Sequence, residues 1–499
     1  MRHSRAHWVL LGASLAATGA AGAAEAPGSG TPEQRCALLQ GAAGFANTTI
    51  SRAQRVLPDA RANVPSYCEV VATISPVPGS KISGVYRLPD NWNGKMLGLG
   101  GGGWSGNITF QAANDGLRRG YAVAQTDGGH PETTSADPGW VRNNPVAVTD
   151  FAHRAVHETA VLGKQVVARY YGRAAERNYF QGCSTGGRMA LMETQRYPDD
   201  YEGVIAGAPV YTLLTQTSNV VRDRIFRAPG AEISVALMRK VNDAVLAACD
   251  KDDGLADGVV SRPYACKWDP SAMQCKAGAD RASCLAQPQV KALREAYTTV
   301  KTKSGVVGNY GMTRGSEAGW NPFIPTLYAT ARTSINGSLG ELVPLIFGTP
   351  DFYMSQFDIE RDQAAVHQTP FAKEYEASST DLSRFFKRGG KLIIWHGMDD
   401  PGPSALATAD YVTRAVKENG GDNLRFYGLP GVFHCGGGPG ADQLDTLTAL
   451  EQWIERAQPP GQLVARNTRA GFERPACQWP QTPRYVSGDP KQATSFRCE

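Results

Sequence analysis

The sequence predicts an α/β fold in which helices cover both faces of a parallel sheet. Strand-like runs alternate with helical patterns in the first part of the chain, and the same alternation returns near its end. Between them, from Tyr211 to Phe385, the alternation gives way to stretches that contain aromatic, glycine and proline residues. We therefore predict one catalytic α/β domain, residues 25–210 and 386–499, interrupted by an inserted lid domain, residues 211–385.

Each element of this fold is predicted from its own local pattern. Short apolar runs bounded by glycine, proline or polar clusters indicate strands, and longer periodic segments indicate helices. The predicted strands are Val70 to Ile74, Ile82 to Leu88, Lys95 to Leu99, Tyr121 to Gln125, Lys391 to Trp395 and Leu424 to Leu429, and the predicted helices are Asp150 to Tyr171 and Ser404 to Glu418.

The composition excludes two broad classes of protein. Hydrophobic residues make up 42% of the 499 residues and charged residues 20%, a balance that a disordered chain would lack. Lys and Arg total 51 against 47 Asp and Glu, and the +4 balance is not concentrated in the basic stripe of a nucleic-acid-binding protein. We expect a folded protein that has no nucleic-acid partner.

The N-terminus reads as a secretory signal peptide, residues 1–24. Arg and His residues at positions 2, 3, 5 and 7 precede an apolar run from Trp8 to about Ala21, and small residues follow it. A membrane anchor is the alternative, but the run is shorter than the roughly 20 residues that a membrane-spanning helix needs. We expect a secreted or periplasmic protein that is free of the membrane after cleavage.

The cysteines agree with export. Their number is ten, and an even count behind a signal peptide implies disulfides, because the exported chain meets an oxidising environment. No CxxC pair is present to chelate zinc.

A GxSxG motif at Gly182–Gly186 lies between an apolar strand and a helical segment. In an α/β-hydrolase this context makes a sharp strand-to-helix turn, which presents the serine hydroxyl at its tip beside a helix N-terminus. Ser184 is the candidate nucleophile. The alternative is an ordinary glycine-rich turn.

An acid and a histidine follow in the order that an α/β-hydrolase requires. Asp399 and Asp400 come shortly after the strand that ends near Trp395, and spacing alone does not decide between them. His434 comes after the next strand, and it is the candidate base unless it is a structural loop histidine.

Two cysteines flank these candidates. Cys183 precedes Ser184 and Cys435 follows His434. If Ser184 and His434 form a hydrogen bond, their neighbours fall within disulfide distance of each other. We predict a bridge between them, the alternative being two free buried thiols.

The tetrahedral intermediate of acyl transfer needs two donors for its oxyanion. The amide of Thr185, directly after the nucleophile, is the first candidate, and a glycine-rich loop at Gly100–Gly103 offers the second. A plain flexible turn is the alternative for that loop.

Four carboxylates fall within eight positions of the predicted insertion, at Asp250, Asp252, Asp253 and Asp257. A hard divalent cation with oxygen ligands would relieve their repulsion, which makes calcium the natural occupant. The segment lacks the glutamate and the paired helices of an EF-hand, and a solvated acidic turn is the alternative.

Motifs spread over nearly the whole mature chain resemble the tannase and feruloyl esterase family of secreted α/β-hydrolases, which also includes a hydrolase of mono(2-hydroxyethyl) terephthalate. They read WNGK at Trp92, TDGGH at Thr126, ARYYGR at Ala168, GCSTGG at Gly182, YEGVIAGAP at Tyr201, CDKDDGLADGVV at Cys249, HGMDDP at His396 and PGVFHCGGGPG at Pro430.

The resemblance implies specific roles. It places the catalytic aspartate at Asp400, the oxyanion glycine at Gly103, and a bridge between Cys183 and Cys435. The implied calcium ligands are Asp250, Asp253, the Leu255 carbonyl, Asp257 and the Val259 carbonyl. The other implied disulfides are Cys36 with Cys68, Cys249 with Cys266, Cys275 with Cys284, and Cys477 with Cys498.

These residues predict a serine esterase that acts on small-molecule esters of aromatic carboxylic acids, with feruloyl esters first and gallate or terephthalate monoesters as alternatives. An aromatic-rich stretch of the insertion would wall the acyl site. Its members are Trp320, Phe323, Tyr328, Phe347, Phe352 and Tyr353, with Arg332 as the nearest candidate for binding a free carboxylate. A catalytically silent binding protein is the rival class, and the complete set of triad candidates disfavours it.

Overall fold

The computed structural model describes Met1 and residues 28–106, 108, 110–131, 139–320, 343–348 and 356–499. The statements below concern these residues. Residues 2–24 of the predicted signal peptide lie outside them.

A mixed sheet forms the centre of the molecule. Nine strands of the described chain take part, in the order β1-β2-β3-β5-β4-β6-β7-β10-β11. Their bounds are Thr48–Val56 (β1), Tyr67–Ile74 (β2), Ile82–Pro89 (β3), Lys95–Leu99 (β4), Ala122–Thr126 (β5), Arg177–Cys183 (β6), Gly203–Gly207 (β7), Lys391–Gly397 (β10) and Leu424–Leu429 (β11). The six strands predicted from sequence are all present, within three residues at each end.

The prediction of a parallel sheet is wrong at one edge. Strands β1, β2 and β3 are joined by short connections without a helix, and they pair antiparallel to each other. A short connection reverses the chain, whereas parallel neighbours need a long crossover. From β5 through β4 to β11 every pairing is parallel, as predicted.

Helices cover both faces of the sheet. Their bounds are Pro32–Ala37 (α1), Phe110–Arg118 (α2), Pro145–Thr149 (α3), Ala155–Tyr171 (α4), Thr185–Arg196 (α5), Leu214–Arg227 (α6), Val235–Cys249 (α7), Gln287–Ala296 (α8), Val343–Phe347 (α9), Ile359–Val366 (α10), Pro370–Tyr375 (α11), Ser383–Lys387 (α12), Ala405–Asn419 (α13) and Thr446–Arg456 (α14). A π-helical turn at Asp150–Arg154 joins α3 to α4. Residues of α4, α5 and α13 form the core on one face, and residues of α2 and α14 form it on the other.

The segment between β7 and β10 has a hydrophobic core of its own. Its buried residues run from Phe226 to Trp320 and include Val241 and Leu293. Strands β7 and β10 nevertheless pair directly with each other, so this segment is inserted into the sheet's connectivity. The exact domain boundaries stay a prediction. The insertion also holds a small hairpin, Val300–Lys301 (β8) with Val307–Asn309 (β9).

The C-terminal segment adds two small sheets, Gln443–Leu444 (β12) with Leu463–Asn467 (β13) and Phe472–Ala476 (β14), and Pro483–Tyr485 (β15) with Phe496–Cys498 (β16). Among the helices described, none combines the length and the apolar character needed to cross a bilayer.

The sheet brings three loops to one place. Strands β6, β7, β10 and β11 are parallel neighbours, so their carboxyl ends share one edge. The residues that follow β6, β10 and β11 include Ser184, Asp400 and His434. The topology therefore collects the three candidates although they are distant in sequence.

Candidate active site

Ser184 lies at the tip of a sharp turn between β6 and α5, and its backbone has a φ of 63° and a ψ of −122°. Close packing around this turn excludes side chains. A Cβ on Gly182 would lie 2.5 Å from backbone atoms of Gly186, and one on Gly186 would lie 2.8 Å from the Gly101 carbonyl oxygen. The two glycines of GxSxG are therefore required by the backbone approach, and the strained serine projects its hydroxyl outward.

Ser184, His434 and Asp400 form a continuous chain of hydrogen bonds. His434 Nε2 lies 2.9 Å from Ser184 Oγ, and His434 Nδ1 lies 2.7 Å from Asp400 Oδ2. An ionised carboxylate only accepts, so Nδ1 carries the proton and Nε2 is left to accept the serine proton. This arrangement prepares the serine for nucleophilic attack.

The electrostatics of the three groups support that assignment. Burial alone would raise the pKa of Asp400, but the charge of His434 and hydrogen bonds from His396 and His434 lower it to about 2. Burial opposes the charged form of His434, yet the Asp400 carboxylate outweighs it and raises the pKa of the imidazole. Asp400 is thus an anion that favours a proton on His434 when Ser184 attacks.

The structure separates the two adjacent aspartates that sequence spacing left undecided. The Asp399 carboxylate turns away from His434 and accepts a hydrogen bond from the Gly431 N–H at 2.9 Å. Burial, together with the nearby Glu317, raises its pKa to about 8. Burial thus favours the neutral form of Asp399, and of the two aspartates Asp400 is the one that hydrogen-bonds to the candidate base.

The loop proposed to complete the oxyanion hole is fastened to the nucleophile helix. Thr185, the first residue of α5, donates its hydroxyl to the Gly103 carbonyl oxygen at 2.8 Å. A Cβ on Gly100 would lie 2.5 Å from Gly186 Cα, so the two glycine-rich segments touch. This contact places Gly103 and Thr185 side by side, and their role as oxyanion donors stays a prediction.

A disulfide joins the loops of the candidate nucleophile and base. Cys183 and Cys435 are bonded, with their Cα atoms 5.9 Å apart. The other four bridges, Cys36–Cys68, Cys249–Cys266, Cys275–Cys284 and Cys477–Cys498, have the pairing that the family resemblance implies. All ten cysteines lie in the described residues, and none of them is free there.

Removing this bridge should impair catalysis more than it impairs folding. Replacing Cys183 and Cys435 with alanine frees the two loops, and a 1 Å misplacement of catalytic groups costs about 100-fold in rate. The matched control is the double alanine variant of Cys275 and Cys284, which removes a bridge in the insertion. We expect kcat to fall about 100-fold in the first variant and to stay within about twofold in the control. Peptide mapping that found free thiols at 183 and 435 in active protein would contradict this account.

Comparison with known proteins identifies the family of this chain. The sequence model described as "Tannase and feruloyl esterase" matches residues 68–499. The chain belongs to the tannase and feruloyl esterase family. Mono(2-hydroxyethyl) terephthalate hydrolase of Piscinibacter sakaiensis is 32% identical over 517 aligned positions, covering 88% of this chain and 85% of the relative. A probable feruloyl esterase of Arthroderma benhamiae is 31% identical and covers 82% of this chain and 81% of its own length.

Solved structures of this family have the same fold. Feruloyl esterase B of Aspergillus oryzae superposes with a TM-score of 0.83 at 23% identity and covers 94% of this chain and all of its own. Tannin acyl hydrolase of Aspergillus niger gives a TM-score of 0.76 at 20% identity, with 94% of both chains covered. The predicted α/β-hydrolase fold is therefore confirmed, and the prediction of a carboxylic ester hydrolase is confirmed at the level of the family.

Two residues that hold the acid loop were missed in the sequence. His396, near the end of β10, contacts Asp400 Oδ2 at 3.1 Å. Arg222 of α6, in the insertion, is buried and donates to the carbonyl oxygens of Pro401 and Gly402 at 2.8 and 3.1 Å. The histidine of the HGMDDP segment was a visible signal, but a buried arginine that binds only carbonyl groups leaves no pattern in sequence.

Two of the six aromatic residues predicted to wall the acyl site lie in the described part of the chain. For one of them, Trp320, the prediction is wrong. Trp320 is fully buried in the insertion's own core, where it packs against Phe226 and Tyr297 and donates Nε1–H to Ser316. It fills that core, so no face of the ring is left for a substrate. Phe347 is half-buried against Phe357. Phe323, Tyr328, Arg332, Phe352 and Tyr353 lie outside the described residues.

Backbone N–H groups of the insertion's acidic loop donate hydrogen bonds to aspartates of the same loop. Asp250 accepts from the N–H groups of Asp257 and Gly258, and Asp253 accepts from the Leu255 N–H and the Ser261 hydroxyl. Asp257 forms an ion pair with Arg474. Within the part of the chain that the structure describes, no three His, Cys, Asp or Glu side chains are grouped to hold a metal ion. Calcium therefore stays a prediction.

Proposed function

We propose that this protein is a serine esterase that hydrolyses esters of aromatic carboxylic acids. The observation that carries the proposal is the hydrogen-bonded chain from Ser184 through His434 to Asp400, in a member of the tannase and feruloyl esterase family. Release of acid from methyl ferulate, measured for the wild type and for Ser184→Ala, tests it. The wild type should hydrolyse the ester, and the variant should be slower by about 10⁴ or more.

Acylation begins when the Ser184 hydroxyl gives its proton to His434 Nε2 and its Oγ attacks the ester carbonyl carbon. The carbonyl oxygen becomes an oxyanion, which the backbone N–H groups of Gly103 and Thr185 stabilise. The alcohol then leaves with the proton from His434, and the aromatic acyl group remains bonded to Ser184. Asp400 keeps the imidazole in the required tautomer and stabilises its charged form.

Deacylation repeats the same steps with water. His434 takes a proton from a water molecule, which attacks the acyl carbon and forms a second oxyanion. Collapse of that intermediate breaks the bond to Ser184 Oγ, and the oxygen recovers its proton from His434. The aromatic acid is released and the enzyme returns to its starting state.

The acyl group is proposed from the relatives and from its chemistry. The relatives are named as feruloyl esterases, a tannin acyl hydrolase and a terephthalate monoester hydrolase, and these names share an aromatic acyl group. We rank hydroxycinnamate methyl esters first, gallate esters second and the terephthalate monoester third. The monoester ranks last because its free carboxylate must be desolvated, which needs a cation such as an arginine fork.

This ranking predicts kcat/KM values in the order methyl ferulate, methyl gallate, mono(2-hydroxyethyl) terephthalate at one pH. Should the monoester lead instead, Arg332 is the candidate cation, and Arg332→Ala would then lower kcat/KM for the monoester without changing it for methyl ferulate. If the monoester led by more than about tenfold, or about 1.4 kcal/mol of transition-state stabilisation, a carboxylate-binding cation would exist and the ranking would be wrong.

We also propose that the loop from Asp250 to Val259 binds a structural calcium ion. The donor set fits a hard cation, since it consists of the carboxylates of Asp250, Asp253 and Asp257 and the carbonyls of Leu255 and Val259. Burial raises the pKa of Asp253, and the charges of Asp257 and Asp250 raise it further, so the loop carries repulsion that a cation would relieve. The ion would tie the loop together and takes no part in the steps above.

Calcium removal should therefore lower stability and leave the chemistry intact. A ligand held only by the folded state, present at roughly 100 times its Kd, contributes about 2.7 kcal/mol. We expect chelation to lower Tm by several degrees, with kcat at 25 °C unchanged, and Asp253→Asn to reduce the response to added calcium. An unchanged Tm together with no bound calcium would return the loop to a solvated acidic turn.

We also propose that residues 1–24 are a cleaved signal peptide and that the enzyme acts in the periplasm or outside the cell. The five disulfides support it, because such bridges persist in oxidising compartments. N-terminal sequencing of the protein recovered outside the cytoplasm tests the cleavage site.

A further inference from the structure

The carboxylate of Asp400 is held by a second histidine besides His434. His396, the penultimate residue of β10, is fully buried, and its Nε2 lies 3.1 Å from Asp400 Oδ2. His434 Nδ1 meets the same oxygen at 2.7 Å, while Asp400 Oδ1 accepts the Gly402 N–H at 2.8 Å. The Asp400 carboxylate therefore accepts hydrogen bonds from His396, His434 and the Gly402 N–H.

The surroundings of His396 fix its tautomer. Its Nε2 also lies 3.2 Å from the Pro403 carbonyl oxygen, which can only accept, so Nε2 carries the proton. In the neutral imidazole Nδ1 then accepts, and the hydroxyl of Thr408, buried in α13, lies 2.9 Å away as its donor. A relay therefore runs from Thr408 through His396 to Asp400.

We propose that His396, held through its Nδ1 by the Thr408 hydroxyl, is a positioning residue for the esterase reaction that holds Asp400 Oδ2 where His434 needs it. This inference rests on the proposed function. The hydrogen-bond partners of His396 in the described chain are Asp400, Pro403 and Thr408, so it acts on the reaction through Asp400. The lost hydrogen bond would let the carboxylate turn about its side-chain torsions, and His434 would lose its orientation.

Among the described residues, His396 and His434 are the side chains that hydrogen-bond to Asp400 Oδ2. Arg222 of α6 donates to the carbonyls of Pro401 and Gly402, and the Tyr264 hydroxyl donates to the Met398 carbonyl. Asp399, the other carboxyl group of the loop, accepts a hydrogen bond from the Gly431 N–H. These contacts hold the backbone of the acid loop, whereas His396 holds the carboxylate oxygen itself.

Two substitutions at Thr408 separate the effect of its hydroxyl from the effect of its shape. Thr408→Val keeps the branched side chain and loses the hydroxyl, so His396 loses the donor that holds its Nδ1 and with it the orientation of the ring. Thr408→Ser keeps the hydroxyl and loses a methyl group. We expect Thr408→Val to lower kcat about tenfold with KM unchanged, because misplaced catalytic groups lose rate steeply, and Thr408→Ser to restore kcat to within about threefold of the wild type.

The pH profile separates positioning from a structural role. The Asp400 carboxylate raises the pKa of His434, so turning it away should move the acidic limb of kcat/KM to lower pH in Thr408→Val. Thr408→Ser should keep the wild-type limb. A variant that was only less stable would lose active enzyme without moving the limb.

A substitution at His396 itself tests the proposal if Thr408→Val has only a small effect on kcat. His396→Leu removes the donor outright, and we expect kcat to fall about 100-fold with the same shift of the acidic limb, in protein whose circular dichroism is unchanged. The proposal is overturned if Thr408→Val and folded His396→Leu both retain the wild-type kcat and pH profile. It is also overturned if Thr408→Val and Thr408→Ser lose equal activity with an unshifted limb. Failure of the proposed function would appear separately, as an active Ser184→Ala.

Discussion

Replacing Ser184 with alanine should lower kcat for an aromatic ester by about 10⁴ to 10⁶, because the reaction then lacks its nucleophile. Residual catalysis over water should remain, since the oxyanion donors and the binding site are intact. His434→Ala should cost about as much. The double variant should lose little more than either single one, because the two residues act as a unit.

Measurement of kcat and Tm for these three variants checks the prediction. The Tm of Ser184→Ala should stay near that of the wild type, since the change removes one hydroxyl and leaves the glycine packing around the turn unaltered. Activity within tenfold of the wild type would remove Ser184 from the mechanism. Additive losses in the double variant would separate His434 from it.

Asp400→Asn should lower kcat by about 10⁴, while Asp399→Asn should leave it within about threefold. The first change removes the anion that holds the Nδ1 proton of His434 and favours the wrong tautomer. The second replaces a carboxyl group that burial already keeps largely neutral with a neutral group of the same shape. Equal losses in both variants would contradict the assignment of the acid.

The raised pKa of Asp399 also predicts how the stability of the protein changes with pH. Its pKa of about 8 in the folded protein lies above the ordinary value of 3.8, so its contribution to stability is present below about pH 4 and is lost as the pH rises through 8. Asp399→Asn should therefore flatten the decline of Tm between pH 5 and 9. An unchanged decline in the variant would show that the carboxyl is already ionised in the folded state over this range.

Local patterns predicted much of this fold because the elements are locally specified. The apolar runs at Ile82, Lys95 and Leu424 became strands because each carries enough apolar residues to be buried on the sheet. The glycines around Ser184 predicted the turn because the backbone there approaches another backbone too closely for a side chain. Such features depend on a few neighbouring residues.

Features that depend on tertiary packing were not predictable in this way. Asp399 and Asp400 are adjacent carboxylates, and only the paths of their loops decide which one meets His434. Trp320 belongs to an aromatic-rich stretch, yet it fills the insertion's core. The antiparallel pairing of β1 to β3 depends on which connections lack a helix, and the contact of His396 with Asp400 depends on the turn after β10.

In the proposed mechanism an aromatic acyl group becomes covalently bonded to Ser184, and trapping that intermediate provides the decisive experiment. Enzyme mixed with an activated feruloyl ester is quenched in acid within milliseconds, and its intact mass and peptide map are measured. The account predicts one feruloyl group per chain, located on the peptide that contains Ser184, and none on Ser184→Ala. Hydrolysis at the wild-type rate with no adduct, or with the acyl group on another residue, would contradict it.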